Sequence, residues 1–126
     1  ACIEACPTDA IREPFVVDAQ RCLAFHTIEN RDPELPDSIK TSLGPWIAGC
    51  DICQDVCPWN HRDLPSSEDP DMQPRPWLLN VNAQDLQNWD DATWDQQLRG
   101  SALRRIKPWM WRRNAAAAQP DLPPNL

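Results

Sequence analysis

Three cysteines in the run Gly49-Cys50-Asp51-Ile52-Cys53-Gln54-Asp55-Val56-Cys57-Pro58-Trp59-Asn60 constrain this chain more than any other feature. The spacing C-x2-C-x3-C-P presents thiolates from one short turn. Its last cysteine points away from the first two, the arrangement by which a chain holds an iron-sulfur cluster. The opening residues Cys2-Ile3-Glu4-Ala5-Cys6-Pro7 repeat the ending as C-x3-C-P. That is the closing half of a C-x2-C-x2-C-x3-C-P run, whose fourth cysteine serves the other cluster. Two such runs imply two clusters.

The chain has 126 residues, 41% of them hydrophobic, and 14 prolines that interrupt any long periodic pattern. One ordinary domain or two small ones can be built from this, with a modest core that metal ligation would reinforce. Six cysteines could instead pair as disulfides, but the spacing is that of metal ligands, and neither a signal peptide nor an apolar span of membrane length is present. A soluble, reducing compartment is expected, with no membrane partner. The start at Ala1, without methionine and inside a cysteine motif, predicts a piece of a longer protein. The net charge of −7 is unevenly spread, because six of the 12 basic residues lie between Arg99 and Arg113, a stretch without an acid. The two halves are therefore expected to meet different partners.

Residues 1–60 read as a small α+β unit. A turn over Thr8-Asp9-Ala10-Ile11 precedes a short strand at Phe15-Val16-Val17. Cys22 opens a helical segment with Leu23, Phe25 and Ile28 as its apolar positions. Asp37 is predicted to cap a further helix carrying Ile39 and Leu43, stopped by Gly44-Pro45. Residues 61–81, rich in Pro, Ser and Asp, read as a linker. From Asn82, with Asp85 three residues on, a capped helix bears Leu86 and Trp89. Asp91 is predicted to cap the next, with Trp94 and Leu98 on one face and Gly100 at its end. Ser101 opens a segment that buries Ala102, Leu103 and Ile106, and Pro108 begins a last helix over residues 109–118. Successive short helices over 82–126 suggest part of a helix-pair repeat, and the tail 121–126 is too rich in proline to fold alone.

A 4Fe-4S cube takes four thiolates. If Cys50 and Cys53 bind one cube, Cys57 crosses to the other, and by the same logic Cys6 crosses to join Cys50 and Cys53. Cys22 completes that set. Cys2 and Cys57 are left for the first cluster, with two further ligands expected upstream. A structural zinc site is the rival use of four cysteines, but zinc ribbons rarely carry Cys-Pro after each run. Cys22 alone would more often be a buried core thiol. His26 and His61 receive no role, and Trp59 is expected to shield a cluster from water.

The twelve-residue cysteine motif resembles the epoxyqueuosine reductase family. The resemblance continues in Ala5-Cys6-Pro7-Thr8-Asp9-Ala10-Ile11, in Arg21-Cys22 with Thr27-Ile28-Glu29, in Gly100-Ser101-Ala102-Leu103-Arg104-Arg105-Ile106, and in Arg113-Asn114-Ala115. It implies a cytoplasmic, cobalamin-dependent enzyme that reduces epoxyqueuosine to queuosine at the wobble position of tRNA. It further implies a ferredoxin-like domain with two 4Fe-4S clusters (1–60), a linker (61–81) and the start of a HEAT-like helical domain (82–126). The cobalamin domain and the catalytic acid would lie upstream, so no catalytic residue falls in this chain. Cys50, Asp51 and Ala24 would lie near the corrin. Cys6, Cys22, Cys50 and Cys53 would hold the cluster proximal to cobalt, and Cys2 and Cys57 the cluster where electrons enter from a donor protein. Arg99, Arg104, Arg105, Lys107, Arg112 and Arg113 would contact tRNA phosphates, and the protein would act as a monomer. A dicluster electron-transfer module of another corrinoid reductase is the alternative, but it would not need that basic stretch.

Overall fold

The structure, a computed structural model, describes residues 1–61 and 66–119. Helix α1 (Cys2–Ala5) leads through the Cys6-Pro7 turn into a two-stranded antiparallel sheet, β1 (Ile11–Glu13) and β2 (Val16–Val17). The strand expected at residues 15–17 therefore begins one residue late, since Phe15 has a φ of 68° and belongs to the hairpin turn. Its partner strand, Ile11–Glu13, is not marked by any alternation in the sequence. The sheet buries almost nothing: Phe15, Val16 and Val17 are all exposed.

After a 3-10 turn at Ala19–Arg21 come α2 (Leu23–Ile28), α3 (Asp37–Ser42) and α4 (Ile52–Asp55), the last carrying Cys53. Leu23, Leu35, Ile39 and Leu43 form a small core with Trp46 and Cys50 packed against it. Asp37 does not cap α3. Pro36 occupies that position, and Asp37, already inside the helix, accepts from Lys40 Nζ at 3.2 Å.

The second half holds α5 (Ala83–Asn88), α6 (Asp91–Leu98) and α7 (Pro108–Ala117), with a 3-10 turn at Ala102–Arg105 between the last two. The Asn82–Asp85 capping box is present in both directions, at 2.9 and 3.1 Å. Asp90, one residue before the expected Asp91, caps α6 by accepting from Thr93 N. Gly100 ends that element with a φ of 74°, a conformation that favours glycine. Leu86, Trp94, Leu98, Ile106, Met110, Trp111 and Ala115 make the larger core, whereas Ala102, expected inside, is exposed.

The segment read as a linker is only partly free of the core. Trp77 packs on the larger core in edge-to-face contact with Trp89. Arg75 donates to the carbonyls of Gln97 and Arg99, which closes the C-terminal end of α6. Pro65 and the tail 121–126 lie outside the described residues.

Helix α7 joins the two halves. Ile28, Ile47 and Ala48 pack on the larger core, and Ala117 on the smaller one. Gln119 N donates to Gly44 O at 2.8 Å. Among the described residues no helix is long and apolar enough to cross a membrane.

Candidate metal centre

The cysteine loop is built on a glycine and a buried isoleucine. Gly49, at φ 81°, turns the chain so that Cys50 precedes α4, and Ile52 anchors α4 in the interior. Asp51 O accepts from the amides of Gln54 and Asp55, each at 2.8 Å, so one short turn sets Cys53 relative to Cys50. Asn60 Nδ2 donates to Gln54 O at 2.9 Å and fastens the chain just beyond Cys57. Helix α1 packs on α4 and carries Cys2 to that side of the loop.

Cys6 and Cys22 reach the loop from two other segments. Ala10 N donates to Cys6 Sγ at 3.2 Å, and Arg21 Nε donates to Thr8 O at 2.8 Å, so the Cys6 turn is tied to the residue before Cys22. Cys22 stands at the N-terminal cap of α2 and donates its N–H to Ala19 O. His26, one turn on, is buried. Its Nε2–H donates to Gln20 O at 2.8 Å, leaving Nδ1 to accept from Asn30 Nδ2 at 3.0 Å.

All six cysteines are free thiols and half-buried. Burial pushes the Cys50 thiol up to about 11, the Ile52 N–H directed at it works the other way, and Cys22, Cys53 and Cys6 raise it further as like charges. Burial also raises Cys53, which feels Cys22 and Cys2. For Cys6 the burial penalty is outweighed by the amides of Thr8, Ala10 and Ile11 and by the Thr8 hydroxyl, and its pKa falls. Cys50 thus feels Cys22, Cys53 and Cys6, and Cys53 feels Cys22 and Cys2, so five of the six thiols bear electrostatically on this loop. Burial is the largest cause of the rise at Cys50 and Cys53, and a bound cationic centre would offset both it and the like charges.

Among the described residues no three His, Cys, Asp or Glu side chains gather around a point for one metal ion. Zinc requires four donors at about 2.0–2.3 Å from a single centre. A cube takes one thiolate at each of four separate irons, and thiols from three segments with N–H groups aimed at sulfur suit it. Ala24 sits half-buried in the first turn of α2, and Asp51 is exposed at the start of α4. Trp59 is 65% exposed.

The basic stretch meets acids from elsewhere in the chain. Arg99 and Arg104 both pair with Asp95, and Arg104 also lies over the Trp94 ring. Arg105 pairs with Glu29, and Arg112 with Asp91 and Trp89 O. Arg113 points inward, donating to the carbonyls of His26, Asn30 and Asp32. Lys107 is exposed.

Thr27 and Asn114 stand out in the sequence only as parts of the resemblance; their role in hanging the cysteine loop was missed. Asn114 is fully buried and donates to Thr27 O at 2.8 Å and Ile47 O at 2.9 Å. Thr27 Oγ1 in turn accepts from Gly49 N at 3.0 Å. The available signal was an asparagine in phase with Met110, Trp111 and Ala115, on the buried face of a helix.

Residues 1–60 match the 4Fe-4S double cluster binding domain family. Fold and family match thus define an iron-sulfur unit with a helical partner packed on it. Over 126 residues the chain is 76% identical to the epoxyqueuosine reductase of a Synechococcus species, covering 100% of this chain and 39% of that protein. It is 64% identical over 113 residues to the enzyme of Prochlorococcus marinus, covering 90% and 36%. A solved epoxyqueuosine reductase from Bacillus subtilis superposes with a TM-score of 0.82 at 30% identity, over 92% of this chain and 30% of that one. An epoxyqueuosine reductase solved with an epoxyqueuosine-modified tRNA stem loop gives the same values. The chain belongs to the epoxyqueuosine reductase family and spans less than two fifths of the curated relatives named here.

Proposed function

We propose that this chain is the iron-sulfur and tRNA-facing part of a cobalamin-dependent epoxyqueuosine reductase. In this reading the enzyme converts epoxyqueuosine in tRNA to queuosine, taking up two electrons and two protons and releasing the epoxide oxygen as water. The observation that supports it most is the match of residues 1–60 to a 4Fe-4S double cluster binding domain, in a chain 76% identical throughout to a reductase of that name.

Cys6, Cys22, Cys50 and Cys53 hold the cobalt-proximal 4Fe-4S cluster. Cys2 and Cys57 hold the distal one together with two thiolates from outside residues 1–126. The clusters supply single electrons, and cobalamin supplies the reducing metal centre. Exposed Asp51 and the small Ala24 leave the backbone beside Cys50 and Cys22 open to a corrin. Residues 1–60 form the ferredoxin-like domain, 61–81 the connection, and 82–126 the start of a HEAT-like domain that faces tRNA with Lys107 and the outer edges of Arg99, Arg104, Arg105 and Arg112. Arg113 belongs to the same basic run but serves the interior. The protein works in the cytoplasm as a monomer, drawing electrons from a reductant protein through the distal cluster.

The test is anaerobic turnover by the full-length protein with epoxyqueuosine-containing tRNA and a chemical reductant. Queuosine formation that disappears in Cys53→Ser is expected. Clusters that reduce normally without any consumption of the epoxide would overturn the substrate assignment.

A further inference from the structure

We propose that Asn114 and Thr27 are positioning residues for the proximal cluster, through which helix α7 sets the electronic environment of Cys50. The inference rests on the reading of Cys50 as a cluster ligand.

Asn114 has no solvent exposure and uses its full hydrogen-bonding capacity. Its two amide hydrogens go to Thr27 O and Ile47 O, and its oxygen accepts from Arg113 Nε and Nη2 at 3.0 and 2.9 Å. One side chain therefore pins both the end of α2 and the segment that enters the cysteine loop. Thr27 completes the link. Its hydroxyl donates to Leu23 O at 3.0 Å, which leaves its lone pairs for Gly49 N–H at 3.0 Å. Gly49 immediately precedes Cys50, which packs against the smaller core.

Hydrogen bonds to cluster sulfurs and the solvation around them set reduction potential. Where Cys50 sits, and how its sulfur is solvated, depends on where Gly49 is held, and Gly49 at φ 81° has no steric preference strong enough to hold itself. Thr27 supplies the restraint, and Asn114 fixes Thr27 from a helix in the other half of the chain. A helix that contributes no ligand thereby acts on the cluster.

Two variants of the full-length, cluster-loaded protein test this by redox titration monitored by EPR. Thr27→Val keeps the volume and removes the acceptor; Thr27→Ser keeps the hydroxyl. The proximal-cluster midpoint is expected to move in Thr27→Val and to return toward the native value in Thr27→Ser, with the distal cluster unmoved in both. Equal midpoints in native protein and Thr27→Val would overturn the proposal. Hydrogen exchange supplies the second measurement: in Asn114→Ser, amides of residues 47–53 should exchange about tenfold faster, the scale of one buried hydrogen bond. Unchanged exchange there would overturn the Asn114 link. A native protein that retains no iron and sulfide would refute the cluster assignment itself, a result distinct from either of these.

Discussion

His26 shows how much a single buried polar side chain holds in place beside Cys22. Its ring joins Gln20 O to the Asn30 side-chain amide, and Asn30 Oδ1 in turn accepts from Asp32 N at 2.8 Å, so the imidazole links the turn before Cys22 to the residues that follow α2. His26→Leu leaves the buried Asn30 amide without its partner, while the carbonyl of exposed Gln20 can turn to water. The expected cost is about 2 kcal/mol, at roughly 1–3 kcal/mol for each buried group left unsatisfied. Thermal unfolding of native protein and of His26→Leu checks it: the variant should melt lower, and equal midpoints would show that the ring holds nothing in place. The histidine itself was visible in the sequence, but its partners lie six residues back and four on, and nothing in composition distinguishes it from His61 at the exposed end of the loop.

Elements add what single residues cannot, and helix α7 with the turn before it is the clearest case. The capping box at Asn82 was legible because its two partners are three residues apart and the pattern is local. Asp37 and Asp91 were each read one place off, because a carboxylate at the first helical position and one at the cap look alike in sequence. The acid-free run from Arg99 to Arg113 was legible as a run, but not its neutralisation. Asp95 lies just upstream, Asp91 is 21 residues from Arg112, and Glu29 is 76 from Arg105. That pairing limits the charge left for a polyanion. With Arg99, Arg105 and Lys107 as the principal phosphate contacts, log K for tRNA against log salt should slope at about −2 to −3, at roughly 0.7 to 0.9 per contact. Lys107→Ala should flatten it by about one contact without altering cluster content; an unchanged slope would remove this face from the tRNA interface. The Glu29–Arg105 pair also has a pH signature. The Arg105 guanidinium beside Glu29 lowers its carboxyl pKa below the ordinary value. The folded-state pKa lies under the unfolded one, so the stabilisation is present above the unfolded value and is lost as pH falls through the folded value. The stability difference between native protein and Arg105→Ala should therefore hold at neutral pH and shrink on acidification. A difference that grows in acid would contradict the assignment.

At the scale of the whole molecule, the cysteine half and the helical half are bound by contacts between residues far apart in sequence. Asn114 reaches Thr27 across 87 positions and Ile47 across 67, and Arg113 closes the C-terminal end of α2 through His26 O. No local pattern reports such pairs, which is why the linker read at residues 61–81 gave no sign that α7 seats in the first half. A protease site placed after Ser67 should leave the two pieces eluting together under native conditions; separate elution would mean that α7 is not part of the iron-sulfur unit. The iron-sulfur character of residues 1–60, by contrast, was legible, because metal-ligand spacing is a local property; the count of four thiolates is what proposes the individual ligands. Cys22 is the member that spacing alone does not mark, and the central claim rests on it. The most direct measurement is iron and sulfide content, with the EPR spectrum after reduction, of the full-length protein carrying Cys22→Ser. Loss of the proximal cluster as complete as in Cys53→Ser is expected, with the distal cluster retained. Native iron content and an unaltered spectrum would make Cys22 a core thiol and contradict the ligand set.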